Sequence, residues 1–426
     1  MISDSVFREY CLRDCIATND ALETMIDDME EYGVLNHYKR IVSKLPKIIM
    51  GMNRRGMIID VDKREGAIKD YTEKIDLSQS KIWEMMGQEV NLRGNDIKDI
   101  LYKEMKLYVG KRTGSLDKDA LTSLTIKYPD LSFLFTSIKE CKKLLHMRSS
   151  FLKAIVPGED GVCRPNYKIG PVTGRLACKK PNFQNIPPGA PKLMFVARPG
   201  YVFIYADYSQ LEVRILALLA NEKSMLNILE SGGDFHEYTR NILFAGQEKT
   251  AEQRKIAKNI FFGIVSYGGT VHGIKERMEA ELSSIPESVI QGLVNKYFLA
   301  HPNLMSFRAQ IQEQVNKYSM VRTPFGRIRF FFGDKKDIIR QGYNTPIQGS
   351  AADIKNIKMI EVDENIISKH LVLDVHDSLM WEVEEKDANS VEKEIKECLE
   401  GPFPEFEGYR FPVKMKVGYN WEEVSS

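Results

Sequence analysis

Two stretches far apart in the chain constrain its fold more than anything else in it. The first is Tyr201-Val-Phe-Ile-Tyr-Ala-Asp-Tyr-Ser-Gln-Leu-Glu-Val-Arg-Ile-Leu-Ala-Leu-Leu219. Its first half is apolar and rich in aromatic and β-branched residues, which predicts a buried strand over Tyr201 to Ala206. Asp207 stands where that strand ends. From Gln210 the spacing turns helical, with Leu211, Ile215, Leu218 and Leu219 on one face. The second stretch is Leu371-Val-Leu-Asp-Val-His-Asp-Ser-Leu-Met-Trp-Glu-Val383. Two apolar runs flank a polar tip, Asp374 to Ser378, which predicts a hairpin with Asp377 at its turn. A carboxylate raised at the end of a stiff core element is well placed to hold a metal ion. Singly, each acid has a plainer reading: Asp207 as a helix N-cap, His376-Asp377 as ordinary turn chemistry. The pair, with the residues between them, favours a shared site.

At 426 residues the chain has room for roughly two to four subdomains around a large core. Its net charge of +1 does not announce a nucleic-acid partner, yet a local basic groove balanced by acidic patches elsewhere is compatible with it. The six cysteines, at 11, 15, 141, 163, 178 and 398, lack the paired close spacing of a zinc site. A chain of this size needs no disulfide frame, so a reducing, intracellular setting is expected. No apolar run reaches membrane-spanning length and no signal peptide opens the sequence, so the expected location is cytoplasmic, with no membrane partner.

Asp207-Tyr-Ser-Gln-Leu-Glu-Val-Arg-Ile-Leu-Ala217 and Val375-His-Asp-Ser378 resemble motifs A and C of the family A DNA polymerases, the bacterial DNA polymerase I type. The helix-patterned run from Ala251 to Gly268 resembles motif B. The resemblance runs in the family's order from about residue 46 to the C-terminus. It implies an α+β, right-hand polymerase fold with an antiparallel palm sheet, helical fingers and a helical thumb. The implied bounds are 1–45 for a remnant of an exonuclease-domain helix and connector, and 46–165 for the thumb with the start of the palm. Residues 166–220 would be the first part of the palm, 221–322 the fingers and 323–426 the second part of the palm.

Residues 1 to about 45 read as helical. Tyr10-Cys-Leu-Arg-Asp14 resembles the last proofreading-exonuclease motif of that family, but a two-metal hydrolase needs several convergent carboxylates and this chain offers one. A structural helix is expected there. The lesser alternative is a separate exonuclease chain that completes a site with Asp14. Gly51 to Asp60 reads as a turn into a short extended piece, followed by helical patterns over Lys63 to Met86 and Tyr128 to Ile155. Lys111, Arg112, Lys142, Lys143 and Arg148 could neutralise DNA phosphates, though each alone could equally be a solvated cation. Gly170 to Pro187 is too rich in Gly, Pro and Asn for a long helix. It resembles the family's primer- and template-contacting segment, which implies DNA contacts for Arg175, Gln184 and Asn185.

Arg254, Lys258 and Phe262 are four apart and share a helical face. Two cations and a ring in a row suit a triphosphate with a base above it. The resemblance implies phosphate binding by Arg254, Lys258 and His236, ring packing by Phe262, and a nucleotide-site role for Tyr267. One departure stands out: the family's Tyr comes four residues after the Phe, and here Ser266 holds that place with Tyr267 one further on. Either Ser266 replaces the Tyr, or a local bulge restores Tyr267. Residues 270 to 320 read as helical with a break at Ser284-Ile-Pro286. Arg340, Asn344 and Gln348 form another four-residue ladder, carried over with His376 as DNA contacts.

The implied activity is template-directed DNA synthesis, adding deoxynucleoside triphosphates to a primer 3′ end by two-metal nucleotidyl transfer, without self-contained proofreading. By resemblance, Asp207, Asp377 and the Tyr208 carbonyl hold two Mg²⁺ ions, with Mn²⁺ as a substitute. Lys258 is a candidate proton donor to pyrophosphate. Glu212 would block a ribose 2′-hydroxyl. Ser378 stands where the family often has Glu. The expected partners are primer–template DNA and deoxynucleotides, with a separate exonuclease chain or processivity factor as further candidates. The short N-terminal region suggests a viral, phage-like or otherwise divergent polymerase, acting in the host cytoplasm if viral. The competing readings are a single-subunit RNA polymerase, opposed by Glu212, and a catalytically idle DNA-binding subunit, opposed by Asp207, Asp377, Arg254 and Lys258.

Overall fold

The computed structural model describes residues 4–277, 285–333, 335–366 and 369–425. The side chain of Lys111 and the first residue of the expected break, Ser284, lie outside them. The architecture is α+β and mostly helical, built around one four-stranded antiparallel sheet. The described residues form eleven short strands, numbered in chain order. The predicted strand runs two residues further than expected, as β6, Tyr201–Tyr208. The predicted hairpin is β9, Lys369–Val375, and β10, Ser378–Glu384. β11, Val413–Gly418, completes the sheet in the order β11-β6-β10-β9. β6 is central and covered on both faces, which is why it reads as a nearly unbroken apolar run rather than an alternating one.

Register decides where the acids go. Asp207 lies opposite Ser378 on β10 and Lys414 on β11. The hairpin loop is only two residues, His376 and Asp377, narrower than the polar tip suggested. His376 takes a positive φ of 52°, as such two-residue loops require. Asp374 and Ser378 therefore belong to the strands. The Leu211–Leu219 helix starts directly after β6, through Gln210 at φ 53°. It buries Glu212 and Arg214 along with every other residue from Leu211 to Ala217, and only Leu218 and Leu219 are half-buried. The Lys335–Asn365 helix packs against it, and the Ala388–Leu399 helix packs against β6, β10 and β11.

Gly51 does not break the chain: the Leu45–Arg55 helix runs through it and ends at Gly56, φ 56°. There a Cβ would meet the Cys163 carbonyl at 2.5 Å, so the turn into β1, Met57–Ile59, needs glycine. The expected helix over Lys63 to Met86 is Val61–Met86, and the second is Ser132–His146 continued by a π-helical run to Lys153. These helices form a separate small core from Ile75 to Leu145, while Ile41 to Ile59 and Leu152 to Val424 contribute to the large one. The Asp4–Glu31 helix buries none of its residues, and Asp14 is exposed on it.

One polar knot ties the N-terminal region to the large core. His37 Nδ1 lies 3.1 Å from the Phe325 carbonyl, and Nε2 lies 3.9 Å from Asp353, which Arg327 holds at 2.6 and 3.2 Å. Burial, the largest influence, pulls the His37 pKa below its ordinary 6.5, against the pull of Asp353. Burial lowers His236, His301 and His370 in the same direction. The unfolded chain therefore takes up these protons first as pH falls. Their contribution to stability is complete above about pH 6.5 and is lost below it, toward the lowered folded values. Thermal unfolding followed between pH 7.5 and 5.5 should show a His37→Asn variant losing less stability on acidification than the parent.

Candidate active site

The antiparallel register brings Asp207 and Asp377 together. Asp207 ends β6, Asp377 sits in the adjoining turn, and the Tyr208 amide donates to the Asp377 carbonyl at 3.2 Å. The Ser378 hydroxyl donates to Asp207 Oδ1 at 2.5 Å. Burial raises the Asp207 pKa, the Ser378 bond opposes that, and the neighbouring Asp377 carboxylate adds to it. A partly buried carboxylate beside a second one is a site that a cation would relieve. The donors are hard oxygens and only two of them are carboxylates, a set that suits Mg²⁺, which prefers few protein ligands completed by phosphates and water. Among the described residues no cluster of three or more His, Cys, Asp or Glu side chains offers a closed metal cage.

Glu212, in the first turn of the helix after β6, is only 7% exposed. The Arg175 guanidinium pairs with its Oε1, and the Tyr267 hydroxyl donates to its Oε2 at 2.7 Å. Burial raises the Glu212 pKa, while Arg175 and Tyr267 favour the charged form. Arg175 also reaches to 4.0 Å from Asp377, so it links the two acids. Its own place is fixed through Gly174, φ 81°, where any Cβ would strike Arg327 at 2.2 Å. Asn356 Nδ2 donates to the Gly174 carbonyl at 3.0 Å.

The chain bulges where Ser266 and Tyr267 depart from the family's spacing. The Ala251–Ile260 helix passes into a π-helical turn, Phe261–Ser266. That wider turn absorbs the extra residue and rotates the chain beyond it. Ser266 is fully buried, and Tyr267 reaches Glu212. The Phe262 ring lies 6.1 Å from Tyr267 and 5.5 Å from His236. Burial lowers the His236 pKa, as do Lys258 and Arg254 beside it, which favours a neutral imidazole next to two cations. Asp234 caps the Phe235–Leu243 helix and binds Arg254 at 2.6 Å. Lys258 is exposed one turn further on.

The remaining expected DNA contacts divide. His376, Asn185 and Arg340 are exposed, and Arg340 meets Asp337 at 3.3 Å. Asn344 and Gln348 are half-buried, and Asn344 Oδ1 has no hydrogen-bond partner among the described residues. Gln184 instead turns its amide inward, donating to the Leu176 carbonyl at 2.9 Å. Arg148 bonds Thr72 at 3.0 Å and is half-buried, and Lys142 donates to the Leu116 carbonyl at 2.6 Å. Each of these last three thus makes an internal hydrogen bond, and Arg148 Nε has no partner among the described residues. Sequence reading missed Lys355, Asp374 and Tyr167, which support the Asp377 turn from below. A signal existed: a lysine inside the wholly buried run Ala351 to Ile360, and an acid inside an apolar strand, both demand partners.

Residues 62–423 match DNA polymerase family A. A DNA polymerase I of Helicobacter pylori strain J99 is 29% identical over 95% of this chain and 46% of its own length. The thermostable DNA polymerase I of Thermus aquaticus is 26% identical over 91% and 48%, and the DNA polymerase I of Caldicellulosiruptor bescii 30% over 91% and 47%. The chain thus spans about half the length of the curated relatives it matches. Its fold superposes with a TM-score of 0.86 on the POL domain of Pol1 from M. smegmatis, a complex with DNA primer-template and dNTP. That alignment covers 97% of this chain and 76% of the other, at 24% identity. No described helix is long and apolar enough to cross a membrane.

Proposed function

Since the chain belongs to DNA polymerase family A, we propose that it adds deoxynucleoside triphosphates to a primer 3′ end under the direction of a template strand. The observation that carries this reading is the adjacency of Asp207 and Asp377, with Glu212 held by Arg175 and Tyr267 beside them. In this reading the sheet of β6, β9, β10 and β11 is the palm, residues 221–322 are the fingers, and the helices around the small core are the thumb.

Asp207, Asp377 and the Tyr208 carbonyl would hold two Mg²⁺ ions, which in polymerases activate the attacking oxygen and stabilise the leaving one. The other roles belong to the chain's own groups. Arg254 leaves Asp234 to bind the triphosphate; both partners are nearly half exposed, so that ion pair holds it only weakly. Lys258 binds phosphate and donates a proton to the departing pyrophosphate. His236, kept neutral, donates a hydrogen bond without adding charge. Phe262 and Tyr267 pack against the base and sugar. The clamped Glu212 carboxylate fills the space a 2′-hydroxyl would need. Arg340, Asn344, Gln348, Asn185 and His376 face DNA, and Arg175 reaches the minor-groove acceptors of the terminal pair.

Primer extension on a defined template with Mg²⁺, comparing deoxy- and ribonucleotides, tests the reading. Template-dependent deoxynucleotide addition is expected. A folded chain that binds primer–template and never extends it would instead be a binding subunit, and equal use of ribonucleotides would make it an RNA polymerase. A Ser378→Ala variant sharpens the assignment of Asp207. Losing the hydroxyl removes a bond that favours the carboxylate, so the Asp207 pKa moves further up. The acid limb of the pH–rate profile should shift to higher pH, and an unmoved limb would detach Ser378 from the chemistry.

A further inference from the structure

Lys355 is 1% exposed and Asp374 is fully buried. The Lys355 ammonium lies 2.9 and 2.8 Å from the two Asp374 carboxylate oxygens and donates to the His376 carbonyl at 2.7 Å. It therefore donates two hydrogen bonds, to Asp374 Oδ1 and the His376 carbonyl, while Asp374 Oδ2 is an ion-pair neighbour without a hydrogen bond, and all three oxygens lie on the segment that carries Asp377. The outer edge of β9 is held at the same residue. The Tyr167 hydroxyl donates to the Asp374 carbonyl at 3.1 Å and accepts from the Asp374 amide at 3.2 Å.

We infer that Lys355 is a positioning residue for Asp377, acting through Asp374 and the His376 carbonyl. The inference rests on the polymerase reading for what Asp377 does, and on geometry for how it is held. His376 is a non-glycine residue at positive φ, a conformation that is strained without support. The carbonyl that Lys355 grips belongs to the peptide unit joining His376 to Asp377, so the bond fixes the direction in which Asp377 leaves the turn. Stability alone does not account for the pair. Burying two charges is costly before their attraction offsets it, and two apolar side chains of similar volume would brace β9 against the Lys335–Asn365 helix as well. Such a pair could not hold the turn carbonyl.

A double-mutant comparison separates the two roles. Lys355→Met or Asp374→Asn alone leaves an unpaired buried charge and should lower the melting temperature clearly. Lys355→Met with Asp374→Asn removes both charges and should recover most of that loss. Three further readouts are taken on all variants bound to primer–template. They are single-turnover addition at saturating deoxynucleotide, the nucleotide KM, and Mn²⁺ affinity by electron paramagnetic resonance on a dideoxy-terminated primer. With Lys355 as a positioning residue, the double variant remains about 30-fold slow and binds Mn²⁺ about fivefold more weakly, with KM within about twofold of the parent. If rate and Mn²⁺ affinity recover together with stability, Lys355 is only a brace and the inference is overturned. If single variants do not fold, the double variant still decides. A parent chain that binds Mn²⁺ at this site yet never extends the primer would defeat the polymerase reading, and the Mn²⁺ measurement would still judge Lys355.

Discussion

Asp377→Asn lowers single-turnover nucleotide addition by about a thousandfold while leaving primer–template affinity within about twofold. The substitution is close to isosteric and sits in a two-residue turn where Asp377 is only half-buried, so neither the β9–β10 hairpin nor the sheet has reason to change. What it removes is one of two negative charges. On the proposed reading, a divalent cation between Asp207 and Asp377 would keep a single carboxylate, and Arg175, 4.0 Å away, loses a partner. A thousandfold loss corresponds to about 4 kcal/mol of transition-state stabilisation, a reasonable share for one of two charged ligands. Asp207→Asn should act as strongly, with Ser378 left to pair with an amide. Rapid-quench measurements decide: either variant retaining a tenth of the parent rate would refute the assignment of the metal centre.

Glu212→Ala lowers discrimination against ribonucleotides, measured as the ratio of kcat/KM values, by about a hundredfold. The carboxylate has almost no freedom, because Arg175 and Tyr267 take one oxygen each. A rigid side chain rejects an added hydroxyl far better than a mobile one, since it cannot move aside. Truncation opens that space and frees Tyr267. Deoxynucleotide incorporation should fall much less than the ratio does. A variant with unchanged selectivity would show that the sugar is read elsewhere, and Tyr267→Phe would then be the next residue to examine.

The sequence was informative where a single element carries its own pattern. β6 announces itself because it is covered on both faces, and the hairpin because two apolar runs need a turn between them. Asp207, Asp377 and Glu212 could be singled out from those elements. The relations between elements were less visible. Nothing in Phe261 to Ser266 distinguishes a π-turn from continued α-helix, so the facing of Tyr267 depended on packing that the sequence does not print. Asp374 looked like turn polarity because its partner, Lys355, is on a helix and meets it only through the fold. Gln184 and Arg148 carry the right chemistry for DNA, and the fold also gives each an internal acceptor, the Leu176 carbonyl and the Thr72 hydroxyl, that the sequence does not announce. Gly51 was expected to interrupt a helix, but open space around it removes any conflict and the helix continues.

The central position of β6 also governs when this protein acquires any chemistry. The bond between Ser378 and Asp207 closes a loop of 171 residues, and β11 must arrive later still to cover the other edge of the strand. A growing chain that has not yet reached β9 possesses Asp207, Glu212, Arg254 and Lys258, but no partner for the first acid. On the proposed polymerase reading such an intermediate can neither gather the metal pair nor act on DNA, and it exposes two bare edges of a strongly apolar strand. Non-local pairing of this kind is slow to form. Activity and aggregation risk are thus set by the same step: the moment the hairpin docks, the molecule becomes both safe and competent.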